Sequence, residues 1–348
     1  MFNGFSKKFN QFVGIDLGTA NTLVYTPEKG IVIDEPSVVA INLRTEQILA
    51  VGKEAKMMLG KIPPYIAVTR PLTHGIISDF EITEKMIKYF INKIREGRSW
   101  LAGRPTVVIG VPLDITEVER KAVEDAVLGA GAKRAIIVEE AMAAAVGAKL
   151  PVEEAVASLI VDIGGGTTEI AVISLSGIVT FKSIKVAGDE LNRNIVSYAK
   201  ERFNLLIGET HAEELKIKIG SAKELNETLQ FAVRGRDLMT GLPRENLITD
   251  LEVRESLERS VWSIIDNIKS VLEITPPELI ADIHERGIVL SGGGALLKGL
   301  SEAIIEATGI PVRLADDPLT CVVRGTGILI DRPELLDLVA LPSSLGKR

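Results

Sequence analysis

The 348-residue chain is poor in the residue types that build metal centres and disulfide frameworks. Its one cysteine, Cys321, cannot form an intramolecular disulfide, and its apolar sequence neighbours favour a buried structural thiol over a nucleophile. The three histidines, His74, His211 and His284, do not have the spacing of a ligand motif. We therefore expect neither a disulfide-stabilised secreted domain nor a transition-metal site.

Long apolar runs and excess positive charge are also lacking. No apolar run approaches the roughly 18 residues of a membrane-spanning helix, and the N-terminus has no continuous apolar stretch of the signal-peptide kind. The net charge of −7 argues against general binding of nucleic acid, which needs a basic surface. The sequence thus predicts a cytoplasmic protein that does not bind nucleic acid.

Two similar glycine turns are the main positive signal. Val13–Thr22 and Leu159–Thr168 each contain an apolar strand, an Asp, glycine and a hydroxyl residue, and a further strand-like alternation follows each turn. Glycines let a turn bring backbone N–H groups close to an anion. A single Asp-Gly turn is more often a plain hairpin turn, but two matched copies predict a duplicated fold that holds a phosphate from both sides.

A third glycine cluster lies near the end of the chain. The apolar run Ile288–Leu290 leads into Ser291 and the glycines 292–294, and a helical pattern begins near Leu300. Alone, this cluster would be an ordinary strand-to-helix turn. Beside the two hairpins, it predicts a third contact to the same nucleotide.

This order of motifs resembles the actin–Hsp70–sugar-kinase ATPase superfamily. Within it, residues 71–80 and 138–147 are similar to the MreB family of bacterial actins, although Ala141 stands where that family usually has Pro. The resemblance covers essentially the whole chain. It implies an actin-like (ribonuclease-H-like) α/β fold, duplicated into two domains with a nucleotide cleft between the halves and two small inserted subdomains.

The same resemblance divides the chain into segments. Residues 1–12 would be an amphipathic membrane-binding N-terminus; 13–32, 70–148 and 311–348 subdomain IA; 33–69 subdomain IB; 149–185 and 246–310 subdomain IIA; and 186–245 subdomain IIB. From the residue pattern, we expect 186–245 to be mostly helical. We also expect a helix from about Thr116, opened by a capping box with Glu119, and a helix over Thr320–Leu329 that packs on the first half.

The resemblance also implies ATP hydrolysis and names residues for it. Glu140 would orient or deprotonate the attacking water, although neighbouring Glu139 suits a helix N-terminus equally well. Asp16 and Asp162 would hold Mg²⁺ through its bound water, unless they only cap their turns. The expected phosphate ligands are Gly18, Thr19, Ala20, Asn21, Gly164, Gly165, Gly166 and Thr167.

For the nucleoside, the resemblance points to one helix and to the third glycine cluster. Glu213 would bond the ribose hydroxyls and Lys216 would lie against the adenine, with Glu214 and Leu215 between them in the segment. A solvated helix face is the alternative. Gly292, Gly293, Gly294, Ala295 and Leu296 would complete the site for ATP or ADP.

Two sequence features suggest membrane contact. Phe2, Phe5, Phe9 and Phe12, four of the nine phenylalanines, fall within an arc of about 80° on a helix. Trp100 and Leu101 lie in a polar loop among arginines, a composition typical of a bilayer interface. A terminal segment packed on its own domain, and a Trp that fills its own domain, are the alternatives.

By resemblance, the protein would be a slow ATPase whose hydrolysis accompanies polymerisation. Its partners would be further copies of itself in filaments of paired protofilaments, the inner face of the cytoplasmic membrane, and membrane proteins of cell-wall elongation. The filaments would organise cell-wall synthesis and maintain rod shape. A small-molecule kinase and an Hsp70-like ATPase of the same superfamily are the alternatives.

Overall fold

The structure, a computed structural model, describes residues 11–96 and 103–343. It divides into two compact units. The first contains the described residues up to Val156, then Ile173–Ile178 and the chain from Leu319 onward, and the second contains Ala157–Val172 and Val179–Pro318.

Strands and helices alternate along the described chain. The strands are β1 Phe12–Leu17, β2 Asn21–Thr26, β3 Gly30–Pro36, β4 Val39–Asn42, β5 Ile48–Val51, β6 Ile66–Thr69, β7 Leu72–Thr73, β8 Ile76–Ile77, β9 Thr106–Val111, β10 Arg134–Glu139, β11 Ser158–Ile163, β12 Thr168–Ser174, β13 Gly177–Ile184, β14 Leu205–Leu206, β15 Gln230–Asp237, β16 Pro243–Thr249, β17 Ile288–Ser291 and β18 Val312–Leu314. The helices are α1 Lys53–Met58, α2 Phe80–Arg95, α3 Glu117–Gly129, α4 Glu140–Gly147, α5 Gly188–Phe203, α6 Glu209–Ile219, α7 Asp250–Ile274, α8 Pro277–Arg286, α9 Leu300–Thr308, α10 Cys321–Asp331 and α11 Pro333–Val339.

The first unit is built on a five-stranded sheet of order β10-β9-β1-β2-β3. Strands β1, β9 and β10 are parallel, and β1, β2 and β3 form antiparallel hairpins. Every residue of β9 is buried, as expected for a central strand covered on both faces. Apolar residues of α2 and α3 join the core of this sheet, and the predicted capping box of α3 is confirmed.

A small antiparallel sheet, β5-β4-β6, is inserted after β3 and packs with α1. Strand β3 itself pairs with β2 in the main sheet. The first residues of the predicted insertion 33–69 therefore belong to the main sheet and not to the small one.

The second unit contains a sheet of order β13-β12-β11-β17-β18, in which β11, β17 and β18 are parallel. The assignment of all of 311–348 to the first half is wrong, because β18 pairs with β17 and belongs to the second unit. Helix α10, by contrast, forms as predicted and packs on α4, β1 and β2 of the first unit.

The expectation that residues 186–245 are mostly helical is only partly right. Helices α5 and α6 are followed by β15 and β16, which form a three-stranded antiparallel sheet with β14. The signal was the two-residue periodicity of β15, whose burial alternates along Gln230–Asp237. Among the helices of the described residues, none is long and apolar enough to cross a membrane.

Helices α4 and α10 approach each other at backbone distance. A Cβ added to Gly325 would lie 1.8 Å from the carbonyl oxygen of Ala143, and one added to Gly147 would lie 1.9 Å from that of Cys321. All residues of α4 are buried, and most of them are alanine or glycine. The small residues of α4 are thus explained by this contact.

Replacing Gly325 by Ala should destabilise the protein by about 3 kcal/mol, at the upper end of the usual cost of overpacking, because a main-chain carbonyl cannot move aside like a side chain. Urea unfolding measures the change. The matched control is Gly177→Ala at the start of β13, whose added Cβ would lie 3.7 Å from its nearest neighbour, the carbonyl oxygen of Ser174, and it should stay within about 0.5 kcal/mol of the parent. Equal effects of the two substitutions would contradict the close helix contact.

Candidate functional site

In the first unit, the predicted site residues gather at one edge of the sheet. The parallel pairing of β1, β9 and β10 aligns Ile15 with Ile109 and Val111 with Glu139. The carboxyl ends of these strands therefore meet at the same edge, which is where open α/β sheets bind ligands. Asp16, near the end of β1, is half-buried at this edge.

The turn between β1 and β2 is fixed by a serine that the sequence analysis missed. The hydroxyl of Ser37 donates to the carbonyl of Gly18 (2.6 Å), and its backbone N–H donates to the carbonyl of Ala20 (2.9 Å). Ser37 is fully buried and also hydrogen-bonds the hydroxyl of Thr22 at 2.8 Å. A serine two residues before the apolar strand β4 was the available signal, but its partners Gly18, Ala20 and Thr22 lie 15 to 19 residues earlier in the chain.

Thr19 is held by a second loop. Its buried hydroxyl accepts a hydrogen bond from the backbone N–H of Gly75 at 2.7 Å. Gly75 and His74 both have left-handed backbone conformations, with φ of 72° and 51°. The connection between β7 and β8 thus turns sharply at the point where it contacts the glycine turn.

Glu140 is the first residue of α4 and is buried. A Cβ added to Gly110 would lie 3.0 Å from its Cγ, so the glycine in β9 leaves room for this side chain. Glu139 precedes the helix as its N-cap residue and is half-buried, and burial raises the pKa of its carboxyl. Both acids stand at the carboxyl end of β10. Of the two, Glu140 is the one that packs beside Gly110 of the neighbouring strand β9.

In the second unit, Asp162 occupies the matching position near the end of β11. It faces Ser291 of β17 in the parallel register, and the Ser291 hydroxyl donates to its Oδ1 at 2.6 Å. The carboxyl is 7% exposed. Burial raises its pKa to about 6, against the opposing effect of the Ser291 hydrogen bond. A counter-cation would relieve this cost of burying charge.

The second glycine turn is closed by the start of α5. Within the turn, the N–H of Gly164 donates to the carbonyl of Thr167 at 2.9 Å. The N–H groups of Gly188 and Asp189 donate to the carbonyls of Gly164 (3.1 Å) and Gly165 (2.8 Å). The turn and the helix start thus form one hydrogen-bonded unit.

Lys216 stabilises this arrangement from α6. Its ammonium donates to the carbonyl of Gly188 at 3.0 Å, next to the glycine turn. The resemblance implied a position against adenine, and the described contact instead joins α6 to the start of α5. Glu213 lies on the same helix and is half-buried, whereas Glu214 is exposed.

Two predicted nucleotide contacts belong to the hydrophobic core. Leu215 is fully buried and Ala295 is 2% exposed, so their side chains are not available to a ligand. Helical periodicity turns the Leu215 side chain inward between its polar neighbours, so a nucleotide contact at either residue would have to be made by the backbone. Around Ala295, a short 3₁₀ turn spans Gly293–Leu296, and Cβ atoms on Gly292 and Gly294 would collide with Ile163.

The membrane residues are only partly described. Phe2, Phe5, Phe9, Trp100 and Leu101 lie outside the described residues. Phe12 is the first residue of β1 and pairs with Thr106, so its placement on an N-terminal helix is wrong. The backbone of Phe12 takes part in the main sheet. The helical spacing of the phenylalanines did not indicate this strand pairing.

The carboxylates at the two turns suit a hydrated cation. Among residues 11–96 and 103–343, no group of three or more His, Cys, Asp or Glu side chains could enclose a metal ion. Asp16 stands at the turn of the first unit and Asp162 at that of the second. Mg²⁺ commonly keeps several waters and uses only one or two carboxylates, so each of these carboxylates by itself is a suitable ligand for it.

Comparisons with known proteins agree on one family. The family model of the MreB/Mbl proteins matches residues 10–337. The chain is 46% identical to the cell shape-determining protein MreB of Escherichia coli K12 over 342 residues, which are 97% of each chain. Crystal structures of Spiroplasma citri MreB5 bound to ADP and to AMPPNP are 36% and 37% identical and superpose with TM-scores of 0.89. They cover 94% and 93% of this chain, and the match covers 98% and 97% of those chains. The predicted actin-like fold is confirmed.

Replacing Asp162 by Asn should stabilise the nucleotide-free protein. Above pH 6 the parent carries a buried carboxylate whose pKa is raised from 3.8 to about 6, which costs roughly 3 kcal/mol at 1.36 kcal/mol per pKa unit. Asn is neutral and can still accept the Ser291 hydrogen bond. Denaturant unfolding at pH 7.5 should show the gain.

The pH dependence is the control for this prediction. The folded parent takes up a proton more readily than its unfolded chain, so the gain should shrink as the pH falls from 6 and vanish below about 3.8. A gain that is independent of pH would mean that packing, not charge burial, is responsible.

Proposed function

The chain belongs to the MreB/Mbl family and is an actin-like cytoskeletal protein, and we propose that it binds and hydrolyses ATP and forms membrane-associated filaments that determine cell shape. The 46% identity to a cell shape-determining MreB over almost the full length of both chains is the observation that carries this proposal. The small-molecule kinase and Hsp70-like alternatives have no comparable support.

The glycine turns are the proposed phosphate sites. In the second unit, the turn 164–167 is closed by backbone hydrogen bonds with the start of α5, and Lys216 holds that start in place. Preset backbone N–H groups bind an anion without the cost of ordering a loop. The turn 18–21 of the first unit is held in the same manner by Ser37 and Gly75. The ADP and AMPPNP of the Spiroplasma structures support an adenine nucleotide as the ligand.

Asp162 and Asp16 are the proposed anchors for hydrated Mg²⁺. When bound, the cation offsets the negative charge of the phosphate oxygens. The buried carboxyl of Asp162 would then be kept ionised by the cation, and Ser291 orients it by donating to Oδ1. Holding Mg²⁺ would explain why this position has a carboxylate although burying its charge costs stability.

Glu140 is the proposed group that positions the attacking water. Its carboxylate can accept a proton from water at the start of a helix whose place is fixed by α10. Positioning and partial deprotonation raise the nucleophilicity of the water towards the terminal phosphate. Gly110 leaves space for the side chain at the sheet edge.

Membrane attachment is proposed to come from the N-terminal phenylalanines Phe2, Phe5 and Phe9, with Trp100 and Leu101 as a second contact. Each copy would bind weakly, because ordering a short terminal segment offsets much of the gain from burying its apolar side chains. A filament that carries many such segments would bind firmly through multivalency. The proteins that the filament organises at the membrane would be those of cell-wall elongation.

Replacing Glu140 by Gln should leave ATP binding intact and slow phosphate release roughly 10²–10⁴-fold, because only the transition state loses its proton acceptor. Filaments should then persist longer after ATP addition. Phosphate release and sedimentation measure the two effects. The matched control is Glu139→Gln, which should hydrolyse ATP near the parental rate; if the control loses activity and Glu140→Gln does not, the role belongs to Glu139.

Deleting residues 2–10 should abolish binding to anionic liposomes and preserve ATP-dependent sedimentation. The deletion stops before Gln11 because its carbonyl accepts a hydrogen bond from the N–H of Thr106 at 2.7 Å. Liposome flotation measures the binding, and Trp100→Ser in the full-length chain tests the second contact. Undiminished flotation of the truncated protein would rule out the N-terminal anchor.

A further inference from the structure

After α11, the chain returns to the main sheet of the first unit. Ala340 forms an antiparallel bridge with Val138 of β10, and the backbone N–H of Leu341 donates to the carbonyl of Ile137 at 2.9 Å. Strand β10 is the first strand in the sheet order and has β9 as its neighbour. Residues 340–343, which we call the strap, therefore bond the side of β10 that faces away from β9.

The strap is anchored by one apolar and one polar contact. The Leu341 side chain packs against the hydrophobic core of the main sheet. The Ser343 hydroxyl donates to Oε1 of Glu124 at 2.7 Å, and Glu124, in α3, is only 3% exposed. A buried carboxylate needs hydrogen-bond donors. The strap therefore cannot leave β10 without exposing Leu341 to water and taking a donor from Glu124.

Strand β10 leads directly to the proposed catalytic group. Its last residue is Glu139, and Glu140 begins α4. On its other side, β10 pairs with β9 along its whole length, up to Glu139 opposite Val111. With the strap in place, both sides of the strand are bonded as far as Val138, two residues before Glu140. The end of a strand that is bonded on one side only opens more readily, and such opening would move the start of α4.

The phosphate turn of the same unit is farther from the strap. In the sheet order, β9 and then β1 follow β10. The turn after β1 has its own hydrogen bonds, from the Ser37 hydroxyl to the carbonyl of Gly18 and from the N–H of Gly75 to the Thr19 hydroxyl. Loss of the strap should therefore disturb Glu140 and leave the phosphate contacts in place. Since a misplacement of about 1 Å can cost roughly 10²-fold in rate, this difference is measurable.

We propose that the strap positions Glu140 for ATP hydrolysis and that Ser343 is a positioning residue within it. The strap bonds the outer side of β10 and ties it to α3, so it fixes the strand end from which α4 starts. Ser343 acts on Glu140 through the strap and β10. The inference rests on the proposed role of Glu140 and adds a distant determinant of the hydrolysis rate.

Two truncations separate the strap from the residues that follow it. Removal of residues 341–348 deletes the bond to Ile137 and the Ser343 contact. It should slow phosphate release roughly 10- to 100-fold and leave the Kd for AMPPNP within about twofold of the parent. Removal of 344–348 alone keeps all these contacts and should leave both values unchanged. Release is measured in a single turnover per amount of sedimented protein, and the Kd by equilibrium dialysis.

A point variant tests the same contact if the truncated chain does not fold. Ser343→Ala removes only the hydroxyl and should slow phosphate release roughly three- to tenfold, the range expected for one hydrogen bond. The Kd for AMPPNP should again stay near the parental value. Ser343→Thr, which keeps a hydroxyl donor, should restore the rate.

The Glu140→Gln background shows whether the strap acts through Glu140. Ser343→Ala should then cause no further loss, because both changes remove the same contribution. Fully additive losses would overturn the inference, as would a parental rate in Ser343→Ala beside a slow Glu140→Gln protein, and either result would leave the proposed function standing. A parental rate in Glu140→Gln would overturn the proposed role of Glu140, and the inference with it.

Discussion

The close approach of α10 to its neighbours is the constraint on which the first unit depends. Glycines remove side chains at three contacts: Gly325 faces Ala143 of α4, Gly327 faces the Tyr25 ring of β2, and Gly14 of β1 faces Thr326. A Cβ at any of these glycines would lie less than 3 Å from another heavy atom. Helix α10 therefore sets the positions of β1, which carries Asp16, and of α4, which begins with Glu140. The acidic residues of this unit occupy one sheet edge because a helix far along the chain holds their elements together.

The second unit reaches a similar arrangement at a cost in stability. Asp162 is buried and accepts a hydrogen bond from Ser291, and burial raises its pKa because the charged form is unfavourable there. A neutral side chain would fold better at neutral pH. Retaining a carboxylate at such a position exchanges stability for a function that needs negative charge, which is the usual compromise at binding sites. The glycines 292 and 294, pressed against Ile163, allow the chain to pass the end of β11 at this point.

The sequence was most informative where structure depends on near neighbours. The turn after β1, the capping box of Thr116 and Glu119, and helix α10 follow from local patterns and were predicted. The contacts that fix the site join distant segments: Ser37 to Gly18, Gly75 to Thr19, and Lys216 to Gly188. No periodicity or spacing encodes such pairs. The sheet of β14, β15 and β16 was missed because its alternating residues are mostly polar, and β18 was assigned to the wrong half because its strand partner is set by the fold.

Each glycine turn is held by the chain that leads to the small sheet of its own unit. Ser37, which bonds the turn of the first unit, stands two residues before β4, the central strand of the small sheet. In the second unit, Gly188 and Lys216 hold the turn, and both lie in the helices that precede β15 and β16. A ligand that changes the geometry of either turn must strain or relax these hydrogen bonds. The small sheets are therefore the parts of each unit best placed to respond to a phosphate bound at its glycine turn.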